Sequence, residues 1–144
     1  MNKVIALWGI SDTGKSDTLR KVHKVFLNIE NLKTIDEYRI TGTDSSDLRE
    51  VMIINEILVG IETQGDPGYR LEESLKLFES IGCGVIICAT RSRGATRAAV
   101  HSLEPKYQLS WRGQSHVSLK EYRDENNSSM AKLIVNEANA AIYA

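Results

Sequence analysis

The stretch Gly9-Ile10-Ser11-Asp12-Thr13-Gly14-Lys15-Ser16, which follows the apolar run Val4-Ile5-Ala6-Leu7-Trp8, decides the fold. Its eight residues fit the pattern Gly-x-x-x-x-Gly-Lys-Ser/Thr in full. Behind it, apolar residues recur every three or four positions, as on one face of a helix: Leu19, Val22, Phe26 and Ile29. A buried strand, a glycine-bounded loop and an amphipathic helix are therefore predicted in that order.

This order of elements suits the binding of a polyanion. The glycines let the backbone come close to phosphate oxygens, and the N–H groups of a helix N-terminus then point at the anion. Lys15 is placed to neutralise the outer phosphates, and the Ser16 hydroxyl is placed to bind Mg²⁺. We therefore predict a Mg²⁺-dependent site for a nucleoside triphosphate, ATP or GTP; a turn that binds nothing is the alternative. The predicted binding residues are Gly9, Ser11, Asp12, Thr13, Gly14, Lys15, Ser16 and Asp17.

Length and composition limit the other function classes. The 144 residues, 42% of them hydrophobic, predict a single nucleotide-binding domain over 1–144. The net charge of −1 offers no basic field for nucleic acid or a membrane surface. No secretory signal is visible, and no apolar run approaches the ~18 residues of a membrane span. We expect a soluble, cytoplasmic chain without a membrane partner.

The two cysteines are predicted to be buried free thiols. Cys83 and Cys88 lie five residues apart on one apolar run. On a strand, an odd separation places two side chains on opposite faces, which argues against a mutual disulfide.

The rest of the chain alternates strand and helix patterns. Strands are predicted at 37–41 and 85–89 and at 107–111, and helices at 15–29, around 71–81, within 91–103 and after a cap at 126–129. Apolar runs at 48–54 and 57–61 flank Asn55-Glu56, which predicts a hairpin, with one unbroken strand or helix as the alternative. This alternation predicts an α/β fold, a three-layer sandwich with a mostly parallel central sheet. Ligands bind such sheets at the carboxyl ends of the strands.

A carboxylate at the end of a second buried strand would complete a magnesium site. Glu62 directly follows the apolar run 57–61, so we predict it as a metal ligand together with Ser16, and as a catalytic residue with Lys15. An ordinary solvated glutamate at a strand end is the alternative.

The loop and the segment after Glu62 resemble the P-loop NTPase superfamily, and loosely its small and translation-type GTPases. The loop with Asp12 is similar to the Gly-x-x-Asp-His-Gly-Lys-Thr loop of translation GTPases, and Glu62-Thr63-Gln64-Gly65 resembles their Asp-x-x-Gly signature. The resemblance implies the P-loop NTPase fold. It also implies that Gln64 or Asp66 positions the attacking water.

Two further features bear on this resemblance. Thr41 or Thr43 would be the threonine that contacts Mg²⁺, although Thr-Gly-Thr-Asp is also ordinary turn chemistry. GTPases read guanine with Asn-Lys-x-Asp after the next strand, whereas this strand runs into Ala89-Thr90-Arg91-Ser92-Arg93-Gly94, without an Asp. Specificity for guanine is therefore not predicted.

Arginines follow the same strand. At the end of a parallel strand, Arg91, Arg93 and Arg97 face the predicted nucleotide, and we predict Arg91 and Arg93 as catalytic residues that stabilise charge on the transferring phosphoryl group. Stacking of Arg91 or Arg93 on the base, or a basic solvated loop, are the alternatives.

The function predicted first is hydrolysis of a nucleoside triphosphate. A kinase that hands the phosphoryl group to a small acceptor is the second reading, with Asp44 or Glu37 as base. The third is a non-catalytic module that binds nucleotide and a protein partner through the hairpin edge or Trp111-Arg112-Gly113.

Overall fold

A computed structural model describes residues 2–9, 14–41, 47–64, 68–91 and 94–144, with the side chains of 68 and 95 excepted. These residues form seven strands and four α-helices, so the predicted α/β class is confirmed. The strands are β1 (Lys3–Trp8), β2 (Lys33–Thr34), β3 (Ile40–Thr41), β4 (Leu48–Ile54), β5 (Ile57–Glu62), β6 (Val85–Thr90) and β7 (Gln108–Gly113). The helices are α1 (Lys15–Leu27), α2 (Gly68–Ser80), α3 (Ala95–His101) and α4 (Lys120–Ile142).

One mixed sheet joins all seven strands. Its order is β2-β4-β5-β6-β1-β7, and β3 also pairs with β4. The strands β5, β6, β1 and β7 pair in parallel, whereas β4 is antiparallel to β2, β3 and β5. The strand β1 thus lies between β6 and β7, and β6 separates it from β5.

Apolar side chains pack on both faces of the sheet. Successive residues of a strand point to opposite faces, so Ile5 and Leu7 join the cluster that holds the apolar residues of α1 and α4. Val4 and Ala6 join the cluster formed with α2 and α3. We call these two sides the α1/α4 face and the α2/α3 face.

The predicted hairpin is confirmed. The strands β4 and β5 pair antiparallel from Arg49–Glu62 to Ile54–Ile57. Asn55 and Glu56 form the two-residue turn, and both have a positive φ, at 51° and 65°. Two positive φ angles are typical of the type I′ turn, whose twist matches that of the flanking strands.

The strand predicted at 37–41 is wrong over most of its length. Residues Asp36–Tyr38 form a 3₁₀ helix, and only Ile40–Thr41 is a strand. The guanidinium of Arg39 contacts both the Asp36 carboxylate (2.7 Å) and the buried Glu50 carboxylate (2.5 Å). These ion pairs favour the compact turn over an extended segment.

The predicted start of the last helix is also wrong. The helix α4 begins at Lys120, so the segment 126–129 lies inside it and does not cap it. Asn127 is 5% exposed, and its amide bonds side chains of other elements. Tertiary hydrogen bonds therefore outweigh the weak helix propensity of asparagine and serine.

Both cysteines are buried and free, as predicted. They do not lie on opposite faces, however, because Cys83 precedes β6 and joins Cys88 in the cluster of the α2/α3 face. Burial raises the pKa of each thiol to about 12. Among the described helices, none is both long enough and apolar enough to cross a membrane.

Candidate functional site

The chain changes faces between two neighbouring strands of the sheet. After β1 it enters α1 on the α1/α4 face, and after the adjacent β6 it enters α3 on the α2/α3 face. At such a point the two connections diverge and leave a crevice outside the carboxyl ends of the strands, where open α/β sheets bind ligands. Gly9 and Arg91 follow those two strand ends, so the first residue of the predicted phosphate loop lies at this crevice.

Gly14 opens α1 in a conformation that suits glycine. Its φ is 89° and its ψ is 17°, in the left-handed region. A Cβ atom there would lie 2.7 Å from Oδ1 of Asn127, so the amide of α4 packs directly on the backbone of Gly14. Both the dihedral angle and the close packing therefore require a residue without a side chain.

Lys15 turns its ammonium back toward the end of β1. Its Nζ donates a hydrogen bond to the carbonyl oxygen of Gly9 at 2.5 Å. The first and last parts of the predicted loop are thus joined, and a cation lies at the carboxyl end of the strand.

Ser16 contacts a carboxylate that was not among the predicted site residues. Its hydroxyl donates to Oδ1 of Asp47 (3.1 Å) and lies 3.3 Å from the carbonyl oxygen of Thr63. The hydroxyl of Thr63 also donates to Oδ1 of Asp47, at 3.0 Å. Hydroxyl, carboxylate and carbonyl oxygens thus gather beside the first turn of α1, and oxygen ligands are the kind that Mg²⁺ prefers.

The carboxylate of Glu62 makes a separate set of contacts. Its side chain is 0% exposed and accepts hydrogen bonds from Nε of Arg70 (2.9 Å), Oγ of Ser74 (2.7 Å) and the backbone N–H of Gln64 (3.0 Å). The partners of Ser16 in the described structure, Asp47 and Thr63, are different from these. The strand that carries Glu62 is also two strand spacings, about 10 Å, from β1.

A buried polar network ties α1 to α4. Thr18 donates to Oε1 of Gln114 (2.9 Å), Gln114 donates to Oδ1 of Asn127 (2.6 Å), and Asn127 donates to Oδ2 of Asp17 (2.8 Å). Asp17, which was predicted to bind the nucleotide, is therefore already hydrogen-bonded to the side-chain amide of Asn127. Buried networks whose members are paired hold side chains rigidly, so this network fixes the first turn of α1 relative to α4.

The arginines after β6 divide into two kinds. Arg91 is exposed, and its backbone N–H donates to the hydroxyl of Thr96 at 3.0 Å. The guanidinium of Arg97 lies over the rings of Trp111 (4.1 Å) and Trp8 (5.8 Å). Both tryptophans are partly buried, so the side chain of Trp111 is less open to a protein partner than predicted.

Several predicted residues lie outside the described part of the chain. They are Ser11, Asp12, Thr13, Arg93, Thr43, Asp44 and Asp66. Of the described candidates, Gln64 is partly buried beside Glu62, while Thr41 and Glu37 are exposed at the β3 end of the sheet. The described structure thus brings Gly14, Lys15 and Ser16 together at the crevice.

Sequence reasoning missed Asp47, although one signal pointed to it. In an antiparallel hairpin, the residue before the first strand lies at the same edge of the sheet as the residue after the second. The predicted hairpin therefore already implied that Asp47 and Thr63 are neighbours. Gln114 and Asn127 gave no comparable signal, because their role depends on how α4 packs.

Thr90, the last residue of β6, has an unusual environment. It is 0% exposed, and its hydroxyl makes no hydrogen bond within the described structure. Most buried hydroxyls in folded proteins are paired, so this one is exceptional. As the last residue of β6, Thr90 lies at the crevice.

The described residues contain no group of three or more His, Cys, Asp or Glu side chains that could hold a metal ion by themselves. Comparison with protein-family models, curated proteins and solved structures found no match to this chain.

Proposed function

We propose that this chain binds a nucleoside triphosphate with Mg²⁺ and hydrolyses it. One observation carries the proposal: the lysine and serine of a Gly-x-x-x-x-Gly-Lys-Ser motif begin a helix at the crevice where the chain changes faces. A helix N-terminus attracts anions, and Lys15 adds a positive charge that reaches the end of β1.

Lys15, Ser16 and Asp47 each have a distinct role in this proposal. The ammonium of Lys15 would leave the carbonyl of Gly9 for the outer phosphates and neutralise their charge. Mg²⁺, once bound, lowers the charge of those phosphates and favours the departure of the product. Ser16 and Asp47 would hold it through oxygen atoms, since Mg²⁺ in nucleotide sites is commonly held by one or two carboxylates together with the phosphates. Water would attack the γ-phosphorus in line as the bond from that phosphorus to the β,γ-bridging oxygen breaks, so that the nucleoside diphosphate leaves and the water's proton passes to the released phosphate.

The fold and family follow as part of the same proposal. We infer a three-layer arrangement, with the helices of the two faces enclosing the sheet, and membership of the P-loop NTPase superfamily. Support comes from the motif, its position after β1 and the diverging connections of β1 and β6. Glu62 as a metal ligand, and Arg91 and Arg93 as catalytic residues, stay predictions.

Nucleotide binding tests the proposal directly. The melting temperature of the chain would be measured with Mg²⁺ and each of the four common nucleoside triphosphates. We expect at least one to raise it, since a ligand that binds the folded state stabilises it. Lys15→Ala should remove this shift, whereas Lys24→Ala, an exposed lysine of the same helix, should keep it.

Turnover is measured in a second step. Release of inorganic phosphate from the nucleotide that binds, without any added acceptor, supports hydrolysis. An equal melting shift in the Lys15→Ala and native chains would refute the site, and binding without phosphate release would refute hydrolysis.

A further inference from the structure

The strand β7 forms one edge of the sheet, and its outer side has no neighbouring strand among the described residues. It is six residues long and exposed or half-buried throughout, whereas every residue of β6 is buried. The opposite edge is formed by β2 and β3, which are two residues long each. Natural sheets often keep edge strands very short, because a long open edge can pair with another chain. The edge of β7 therefore has room for a further strand.

The backbone groups on this edge can be identified from the pairing of β7 with β1. The N–H of Gln108 donates to the carbonyl oxygen of Asn2, and the N–H of Gln114 donates to the same strand six residues later. Because the direction of hydrogen bonding alternates along a strand, the even-numbered residues bond to β1. The residues that turn their N–H and C=O groups outward are Leu109, Trp111 and Gly113. They offer the row of donors and acceptors that an added strand needs.

Arg97 adds a positive charge beside this edge. Its guanidinium lies over the ring of Trp111, 4.1 Å from the ring centre, and 5.8 Å from that of Trp8. No carboxylate pairs with it in the part of the chain that the structure describes, whereas Arg39 and Arg112 each have one. A guanidinium stacked on an aromatic face keeps its N–H donors at its rim, where they can bind an oxyanion. Trp111 thus combines an outward-facing backbone with a cation on its ring.

The charges on the other face of β7 also favour an acidic partner. Arg112 and Lys3 share the single carboxylate of Glu137, at 3.0 Å and 3.1 Å. Two cations and one carboxylate leave an excess of positive charge beside the strand. A second copy of β7 would bring the same cations to this edge, and like charges that face each other across paired strands are destabilising. An acidic strand is therefore the complementary partner.

We propose that the outer edge of β7 binds an extended, acidic segment of a partner protein, which adds a strand to the sheet. The backbone of this segment would pair with the outward-facing groups of β7. A glutamate opposite Trp111 would lie one strand spacing, about 5 Å, away, within reach of the N–H donors of Arg97. The proposal uses the backbone of Trp111 and leaves its half-buried ring in place. It does not depend on the proposed nucleotide site.

Hydrogen exchange of individual amides, followed by NMR, tests the strand pairing. In the free chain we expect slow exchange at Ser110 and Arg112, which bond to β1, and fast exchange at Leu109, Trp111 and Gly113. The probe is a capped synthetic peptide, Thr-Val-Glu-Val-Thr. It should slow the exchange of the three outward-facing amides and leave that of the other two unchanged.

Two results of this experiment would overturn the proposal. One is no slowing of exchange with the peptide. The other is protection of the outward-facing amides before any peptide is added, since the edge would then already be covered. If that protection grows with protein concentration and the mass of the particle doubles, the occupant is a second copy of the chain.

A double-mutant cycle tests the acidic contact. The tryptophan emission of Trp8 and Trp111, the only two tryptophans of the chain, reports the affinity for the peptide and for its Thr-Val-Gln-Val-Thr variant. The native chain should bind the glutamate peptide about tenfold more tightly, because a charge-assisted hydrogen bond is lost in the variant. Arg97→Gln should bind both peptides equally. Lys106→Ala removes an exposed cation near the amino end of β7 and should keep the tenfold preference.

Arg97→Lys is the second variant, in case the loss of charge over the two rings impairs folding. It keeps the cation and should retain a preference for the glutamate peptide, and the melting temperatures of all variants are measured in parallel. Equal affinity of the native chain for the two peptides would refute the acidic contact. A full tenfold preference in Arg97→Gln would refute the role of Arg97.

Discussion

At the scale of single residues, two carboxylates near the crevice differ in their partners. Asp47 accepts hydrogen bonds from Ser16 and Thr63, whereas Glu62 is held by Arg70 and Ser74. We expect Asp47→Asn to reduce the effect of Mg²⁺ on nucleotide affinity about tenfold, because an amide is a weaker ligand for a hard cation. Nucleotide titrations with and without Mg²⁺ measure this effect.

The matched substitution Glu62→Gln should act mainly on stability. It leaves the buried guanidinium of Arg70 with a neutral partner, and breaking a buried ion pair commonly lowers the free energy of unfolding by about 3 kcal/mol. Urea denaturation measures the loss. If Glu62→Gln abolishes the effect of Mg²⁺ while Asp47→Asn keeps it, the metal ligand is Glu62, as the sequence predicted.

At Gly14, the energetic cost of the positive φ can be measured separately from the cost of the close contact with Asn127. Gly14→Ala should lower the free energy of unfolding by ~1–3 kcal/mol through its positive φ, and further through the contact with Asn127. In an Asn127→Ala background, Gly14→Ala no longer clashes with the asparagine side chain and only the penalty of the positive φ remains. Gly14→Ala should therefore lower the free energy of unfolding less in that background than in the native chain. Denaturation of the four proteins of this double-mutant cycle measures the difference. Strictly additive losses would show that the close contact has no energetic effect.

At the scale of elements, the β4–β5 turn carries a residue poorly suited to its conformation. Glu56 has a φ of 65°, and glycine is the preferred residue there in a type I′ turn. We expect Glu56→Gly to raise the free energy of unfolding by about 1 kcal/mol, because it removes the penalty of the left-handed conformation. Glu56→Ala removes the charge but keeps the Cβ atom, so its melting temperature should equal that of the native chain. A gain for both variants would instead point to a charge effect.

The elements that the sequence predicted well are those with strong periodic patterns. The helix after the motif and the β4–β5 hairpin follow from local spacing, which directly encodes the buried face. The segment 37–41 and the start of α4 were wrong because partners far along the chain decide them. Arg39 pairs with Glu50 on another strand, and Asn127 pairs with Asp17 on another helix.

The candidate site shows the same division. Lys15 and Ser16 were found because one continuous motif places them. The order of the strands is not written in local spacing, so the position of β6 between β1 and β5 could not be predicted. That position sets Glu62 apart from β1 and places Thr90 beside Trp8. Asp47 was within reach of the hairpin prediction, whereas the stacking of Arg97 required the packed tertiary structure.

At the scale of the whole molecule, the crevice has two sides with different chemistry. On the side of α1 lie Lys15, Ser16 and Asp47, and the buried amides of Gln114 and Asn127 pack beside the first turn of the helix. The α2/α3 face presents the unpaired groups of Thr90 and Arg97. The strands β1 and β6 are direct neighbours, so the two sides meet at the carboxyl ends of these strands.

Because of the buried thiols of the α2/α3 face, we expect the stability of the whole fold to fall at alkaline pH. Burial raises the pKa of Cys83 and Cys88 from an ordinary 9.0 to about 12. Below pH 9.0 the thiols are protonated in both states, and their contribution to stability is complete. Between pH 9.0 and about 12, the unfolded chain loses protons that the folded chain keeps, so the free energy of unfolding falls as pH rises.

We expect the fall to approach about 1.4 kcal/mol per pH unit for each thiol. Urea denaturation at about pH 8 and about pH 10 measures the slope. Cys88→Ala should be less stable at both pH values because it leaves a cavity, yet its stability should depend less on pH. Tyr107, whose pKa burial also raises to about 12, contributes a remaining slope. If the native chain and Cys88→Ala lost stability equally between the two pH values, the Cys88 thiol would already ionise in the folded state.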